Sequence, residues 1–438
     1  MVLRKLQPLA LRCALAAAVV APMVTASPAQ ADSAASSSAV GSAAPHSWAA
    51  SSSAAGSSAA YQEAVAQLPT NPLLPIPVAH PGAPDPVPFG AERIARWYDS
   101  DISPYGPFYF HAVEPFGPLR EHHPEVMEAN LERVVEINNT ASGNAALIER
   151  TLADDHDDLL VTMADAWGAE LSGHFRTALA EGRLPKTTQL LGGDLGRGGG
   201  LSSTTGPEKA FFNFPRPFVV APERITRFHR DGAEDEYSTS PAFPSGHTNQ
   251  ATWKSTLLAA MVPEIGLEML ARGSEVGFHR VVLGVHYPLD VIGGRMTGTA
   301  AAADRLNDAA FLALIHEAGE EIRAEMQWRC GADLAQCARP SDRTAAVSTF
   351  TERMDYQLPY TGERGAAMTV PDGAEGLLVT RFPELTAEQR REVLRLTAGP
   401  SGAPLDAPAG QASWQRLNLT AAWASDPYVD DSGVLALR

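Results

Sequence analysis

The sequence predicts a mainly α-helical protein with a small mixed C-terminal extension, on three observations. Apolar residues recur at helical spacing through five long stretches, few segments alternate with period two, and 45% of the 438 residues are apolar, enough for at least one sizeable core. The five stretches are 126–138, 145–152, 159–179, 252–270 and 291–327. They place a helical domain at 89–335, interrupted by a Gly- and Pro-rich middle between 192 and 244. Beyond about 339 the texture shifts to short mixed segments, with a strand predicted at 376–382 and a helix at 387–396 between Gly and Pro breaks. We find no internal repeat and no chemical motif in this 336–438 extension.

The N-terminal elements carry no core. Arg4, Lys5 and Arg12 precede an apolar run at 13–24 and the small-x-small triplet Ala29-Gln30-Ala31, the pattern of a secretory signal peptide over 1–31. The run is shorter than the about 20 residues that span a bilayer, which disfavours an uncleaved anchor. Residues 32–60 are almost all Ser, Ala and Gly, too poor in apolar surface to offset the entropy of ordering, and 69–88 are Pro-rich. Together 32–88 read as a flexible linker, its Pro-rich part extended along the surface.

Charge and cysteine count narrow the function. Lys and Arg total 34 against 51 Asp and Glu, a net charge of −17, and removing the leader leaves 31 against 51, or −20. A surface built to coat a nucleic-acid backbone or anionic lipid is therefore excluded, so an anionic substrate needs a local cationic cluster. No later segment has 18 consecutive residues apolar enough to span a membrane. A secreted, extracytoplasmic protein follows. In that oxidising setting Cys330 and Cys337, the two thiols left after the leader, are placed to pair across a short loop, worth about 2–3 kcal/mol.

Three pieces carry chemistry. In the first, Lys209 and Arg216-Pro217 bracket the aromatic run 211–214. Alone this reads as surface cations beside buried rings. The second, Pro244-Ser245-Gly246-His247, is a turn leading straight into a helical run, and a helix N-terminus offers free N–H groups and a dipole to an anion. An ordinary Ser cap with an incidental His is the plainer alternative. The third runs from His279-Arg280 to His286 and Asp290. Arg280 and His286 lie about 240° apart on a continuous helix, so they converge only if it breaks, and Gly284 and Pro288 supply that break. Asp290 then falls one turn past His286, where a carboxylate on one ring nitrogen fixes the tautomer and leaves the other free to attack. A buried structural His–Asp pair has the same pattern.

Order and spacing are more specific than any part. Six residues separate Lys209 from Arg216, 26 separate Pro217 from Pro244, 31 separate His247 from His279, and Arg280, His286 and Asp290 follow with gaps of five and three. This pattern resembles the superfamily of type 2 phosphatidic acid phosphatases, class A bacterial acid phosphatases and vanadium haloperoxidases, most of all a soluble secreted acid phosphatase. The specific match covers 209–290, with a looser helical likeness over about 90–325. One position departs: His279 stands where the family has Ser. With Arg280 retained, the departure concerns a secondary contact or local packing.

The resemblance implies a six-helix-type core around one phosphate pocket and a metal-independent phosphatase, a phosphoric monoester hydrolase. Lys209, Arg216, Arg280, Ser245 and the Gly246 N–H would bind phosphate; His286, oriented by Asp290, would attack phosphorus; and His247 would protonate the leaving alcohol and later activate water. The expected partner is a small phosphorylated substrate, with no cofactor and no nucleic acid. Activity should peak on the acidic side or near neutrality and fall on both flanks. A haloperoxidase with vanadate as cofactor is the main rival, since vanadate fits the same cup; elsewhere it would act as an inhibitor. A membrane lipid phosphatase lacks its spanning helices here, and a cell-surface binding protein would leave the cationic and histidine set unexplained. The acidic run 154–158 reads as a solvated helix start rather than a cation site, 192–200 lacks the Gly-Lys-Ser/Thr ending of a nucleotide loop, and His122 and His123 have no partner at ligand spacing.

Overall fold

The computed structural model describes residues 74–106, 108–193, 196–230, 240–338, 342–430 and 433–438. The signal peptide at 1–31 and the linker as far as 73 lie outside the described residues. From 74 to 88 the chain runs extended along the surface as expected, but it is strapped down. Val78 N–H donates to the Glu181 carbonyl (2.9 Å), and the Arg183 guanidinium donates to the carbonyls of Val78 (2.9 Å) and Pro84 (2.6 Å).

The helices follow the apolar pattern, with breaks the periodicity alone did not show. α1 (Pro124–Ala141) opens on Pro at its first turn, and α2 (Ala145–His156) is capped by Asn144, whose side chain accepts from Leu147 N–H. The stretch expected at 159–179 divides into a short helix Leu159–Thr162, a 3-10 turn Met163–Trp167, and α3 (Gly168–Ala180). After α4 (Pro185–Leu191) and α5 (Gly206–Phe212) comes α6 (Gly246–Met261), buried almost all round, as a central helix must be. Pro263, which lacks an N–H and restricts the residue before it, ends α6 and separates it from α7 (Gly266–Val282). The last long stretch divides into α8 (Pro288–Asn307) and α9 (Ala309–Cys330) at Asp308, whose carboxylate accepts from Ala310 and Phe311 N–H at 3.0 Å. Just beyond α9, Cys330 and Cys337 are disulfide-bonded.

α6, α7 and α8 form the centre. α8 approaches α6 at backbone contact: a Cβ on Gly294 would sit 2.5 Å from the Ser245 carbonyl oxygen, and one on Gly298 2.5 Å from that of Asn249. Only glycine fits either place.

The extension continues the same core. α10 (Arg343–Asp355), α11 (Ala387–Leu396) and α12 (Leu419–Ala424) bury Phe350, Val393 and Trp423, and Trp423 packs directly on Gly266, where a Cβ would clash at 2.1 Å. The strand expected at 376–382 is instead a 3-10 turn, Ala374–Leu378. Leu377 and Leu378 are both fully buried, which neighbours on a strand, facing opposite ways, rarely are. The mixed character comes from β1 (Pro427–Val429) and β2 (Leu435–Leu437), an antiparallel pair with Tyr428 opposite Ala436. Among the described residues no helix is long and apolar enough to cross a membrane.

Candidate active site

Three distant segments are brought together at the N-terminal ends of α6 and α8. The first is anchored by aromatics. Phe116 stacks on Phe243 with ring centres 3.7 Å apart, while Phe212 and Phe214 each meet Phe116 edge-on at 5.3 Å. These contacts hold the loop after α5 against the cis Phe243–Pro244 bond that leads into α6. Lys209, in the last turn of α5, donates to the carbonyls of Pro241 (2.7 Å) and Ala242 (3.0 Å). Arg216, only 3% exposed, donates to the carbonyls of Ser240 (2.7 Å) and Val285 (2.8 Å). The expectation for this segment on its own, cations in water beside buried rings, is corrected. Backbone carbonyls fix both groups, and the ammonium keeps a third N–H.

The second segment is the turn at 244–247. Ser245 caps α6: its Oγ accepts from Thr248 N–H (3.3 Å) and from the Thr248 hydroxyl (2.9 Å), so its own proton remains to donate. The Gly246 N–H begins the helix and has no acceptor within it. His247 follows, with Nε2 3.4 Å from the Asp155 carbonyl oxygen.

The third segment breaks where Gly284 adopts φ +67°, a conformation that favours glycine. The chain turns back so that His286 N–H donates to the Arg280 carbonyl (3.3 Å), and α8 restarts on Pro288. Asp290 Oδ2 accepts from Tyr287 N–H (2.8 Å) and from His286 Nδ1 (3.1 Å), while Ser245 N–H donates to the Asp290 carbonyl (2.9 Å), tying this segment to the second. Arg216 Nη1 lies 3.1 Å from His286 Nε2. A guanidinium can only donate, so Nε2 carries the lone pair and Nδ1 the proton.

The electrostatics fit one shared volume. Burial first, then the charges of Arg216, Lys209, Arg280 and His247, hold His286 well below the ordinary imidazole range. Burial and Arg280 bring His247 down to about 3. Burial and Arg216 lower Lys209, and burial raises Asp290. The shifts of the two imidazoles and of Lys209 disfavour added positive charge in a cup already rich in cations, and a bound oxyanion would raise all three. The arrangement can therefore hold a tetrahedral anion and present it with a neutral imidazole nitrogen.

Sequence reading missed Asp154 and Asp155. The run 154–158 is a helix start at its last residue alone, where Asp158 caps Leu159–Thr162 by accepting from Leu160 N–H (2.9 Å); Asp154 and Asp155 lie in the last turn of α2, where the dipole disfavours carboxylates. Cations of α7 compensate. Asp154, 1% exposed, is bonded by both Arg272 and His279, the latter at 2.6 Å, and Asp155 is bonded by Arg280. Burial alone would raise the Asp154 carboxyl, but His279 and Arg272 outweigh it and hold it well below the ordinary range. His279, the departure from the family pattern, is thus a link between α2 and α7, beside the arginine that α7 sends into the cup. The only signal in the sequence was the surplus of carboxylates facing a surplus of cations 120 residues later.

Residues 195–308 match the model of the PAP2 superfamily. The chain is 31% identical over 144 residues to a non-specific acid phosphatase of Salmonella typhi, covering 32% of this chain and 53% of that protein. It is 26% identical over 186 residues to a non-specific acid phosphatase of Providencia stuartii, covering 42% and 69%. To an acid phosphatase of Zymomonas mobilis it is 33% identical over 107 residues, covering 24% and 39%. The chain thus spans about half the length of the Salmonella relative that it matches.

Proposed function

The chain carries a PAP2 superfamily domain at residues 195–308, and from that premise we propose that it is an exported phosphatase that hydrolyses phosphate monoesters through a phosphohistidine intermediate, without a metal. The His286 ring supports this reading most directly: Asp290 tethers Nδ1, and Nε2 keeps a lone pair beside the Arg216 guanidinium. Phosphoryl transfer needs positive charge around the non-bridging oxygens and an in-line nucleophile. Lys209, Arg216 and Arg280 supply the charge, and Ser245 Oγ–H and Gly246 N–H add hydrogen bonds. Nε2 of His286 attacks phosphorus as the P–O bond to the alcohol breaks, and His247 gives that oxygen its proton. Water then attacks phosphorus, His247 takes a proton from it, and the P–N bond breaks to release phosphate.

Held down at about 3 by burial and Arg280, His247 is neutral until a dianion lies beside it. The incoming dianion is the charge that raises it enough to serve as an acid, which couples acid catalysis to substrate binding. Export is supported by the leader pattern at 1–31 and by the Cys330–Cys337 disulfide, which suits an oxidising compartment.

The test is phosphate release from a generic monoester by the purified chain, with and without chelator, beside capture of labelled phosphoprotein in the acid-sensitive, base-stable form of a phosphohistidine. Label that persists in His286→Ala would move the nucleophile elsewhere. The same donors fit vanadate, so peroxide-dependent halide oxidation by vanadate-treated protein, without phosphate release, would replace this reading.

A further inference from the structure

Behind the cup, where α10 of the extension crosses α7 and α8, lies a cavity of about 20 Å³. Most of its lining surface is apolar, but Arg295 of α8, Arg353 of α10, Tyr356 and Thr256 of α6 also border it. Arg295 is 7% exposed, and its guanidinium makes long hydrogen bonds to the carbonyls of Gln415 (3.2 Å), Met354 (3.3 Å) and Leu417 (3.4 Å), leaving Nε without a partner. Arg353 lies over the Phe278 ring, 4.7 Å from its centre. No carboxylate bonds either guanidinium among the described residues. Of the nearby carboxylates, Asp355 accepts from Gln357 N–H and the Tyr360 hydroxyl, Glu275 binds Arg150 and Arg272, and Glu352 is exposed. The hydroxyls of Tyr356 and Thr256, both buried, have no hydrogen-bond partner either.

A buried Arg295 and a half-buried Arg353 at one small cavity, neither bonded by a carboxylate, carry a desolvation cost that a neutral occupant does not offset. We propose that this cavity is a halide site, holding one monatomic anion of the chloride class between Arg295 and Arg353, with the hydroxyls of Tyr356 and Thr256 donating to it. The volume sets the class. It admits a body the size of one water molecule, which excludes phosphate, sulfate and carboxylates. Burial brings Arg295 down to about 10 and pushes Tyr356 up to about 12, so near neutrality the guanidinium stays charged and the phenol stays a donor. The site is separate from the phosphate cup, although Thr248, which bonds Ser245, also borders it. The anion would thereby pin the extension to the helices that carry Ser245 and Asp290.

The test uses the full chain. Crystals grown without halide and soaked in sodium bromide should show an anomalous peak at the bromine edge inside this cavity. Ordered water there, with bromide only on the surface, would overturn the proposal. In solution, melting temperature should rise saturably with chloride or bromide but not with gluconate at equal ionic strength. Arg353→Met should abolish the response, and Tyr356→Phe, which removes one donor and no volume, should raise the half-maximal halide concentration about tenfold. Equal melting in chloride and gluconate, or an unchanged halide response in Tyr356→Phe, counts against the site.

Discussion

At the C-terminal end of α8, Arg305 donates to Asp101 (2.9 Å), Ser100 Oγ (2.7 Å) and the Gly198 carbonyl (3.0 Å), while Arg197 closes on the same carboxylate. At the N-terminal end, Asp290 faces an imidazole, and the neighbouring lysine is bonded to carbonyls. Both carboxylates are wholly buried, yet they respond oppositely. Burial would raise Asp101, but Arg197 and Arg305 outweigh it and lower its pKa; at Asp290 burial prevails and raises it. One end of the helix is electrically closed and contributes stability. The other is held open for a charge that arrives with the ligand.

Breaking the open end should have the largest effect. His286→Ala should lower turnover by more than about 10⁴-fold, with melting temperature nearly unchanged. Breaking the closed end should do the reverse: Asp101→Asn, which leaves two buried guanidinium groups without a carboxylate, should cost about 3–5 kcal/mol in denaturant unfolding while the folded fraction keeps its specific activity. Ser245→Ala removes one oxyanion donor and should lower kcat about 10²–10³-fold. It also removes the α6 cap, at about 1 kcal/mol of stability.

The pH dependence of stability sharpens the contrast further. A depressed carboxyl such as Asp101 contributes stability above its unfolded pKa and loses it as pH falls toward the folded value. A raised one such as Asp290 does the opposite, costing stability as pH climbs through its folded pKa. Asp290→Asn should therefore be more stable than the parent at pH 8, by up to about 2 kcal/mol, though nearly inactive, and the gain should vanish near pH 4. A variant less stable at pH 8 would show that Asp290 is not held at a cost. The smallest effect is expected from Lys209→Arg. Because Lys209 is lowered, phosphate affinity should weaken on the alkaline side as it loses its proton, and arginine should move that flank of the kcat/KM profile upward.

The open end was legible in the sequence and the closed end was not, for a physical reason. Catalytic geometry constrains residue types at fixed short spacings around a chain break, so Gly284, Pro288 and the His286–Asp290 interval announce themselves locally. Asp101 meets Arg197 and Arg305 across 96 and 204 positions, and Asp154 meets His279 across 125. Nothing within a few residues of a carboxylate distinguishes a buried partner from water. The helix ends at Met261 and Asn307 were equally hidden, because the apolar period ran across Pro263 and Asp308 while the chain turned beneath it. The strand expected at 376–382 failed because short apolar runs do not declare their period.

The packing of Trp423 on Gly266 has a practical bearing. The motif-bearing portion ends near 308, which invites trimming to a minimal catalytic fragment at about 335. Such a cut would strip the roof from α7 and leave the Arg295 side chain in solvent. The shortened product should precipitate or need detergent, and what looks on paper like an appendix behaves as part of the hull.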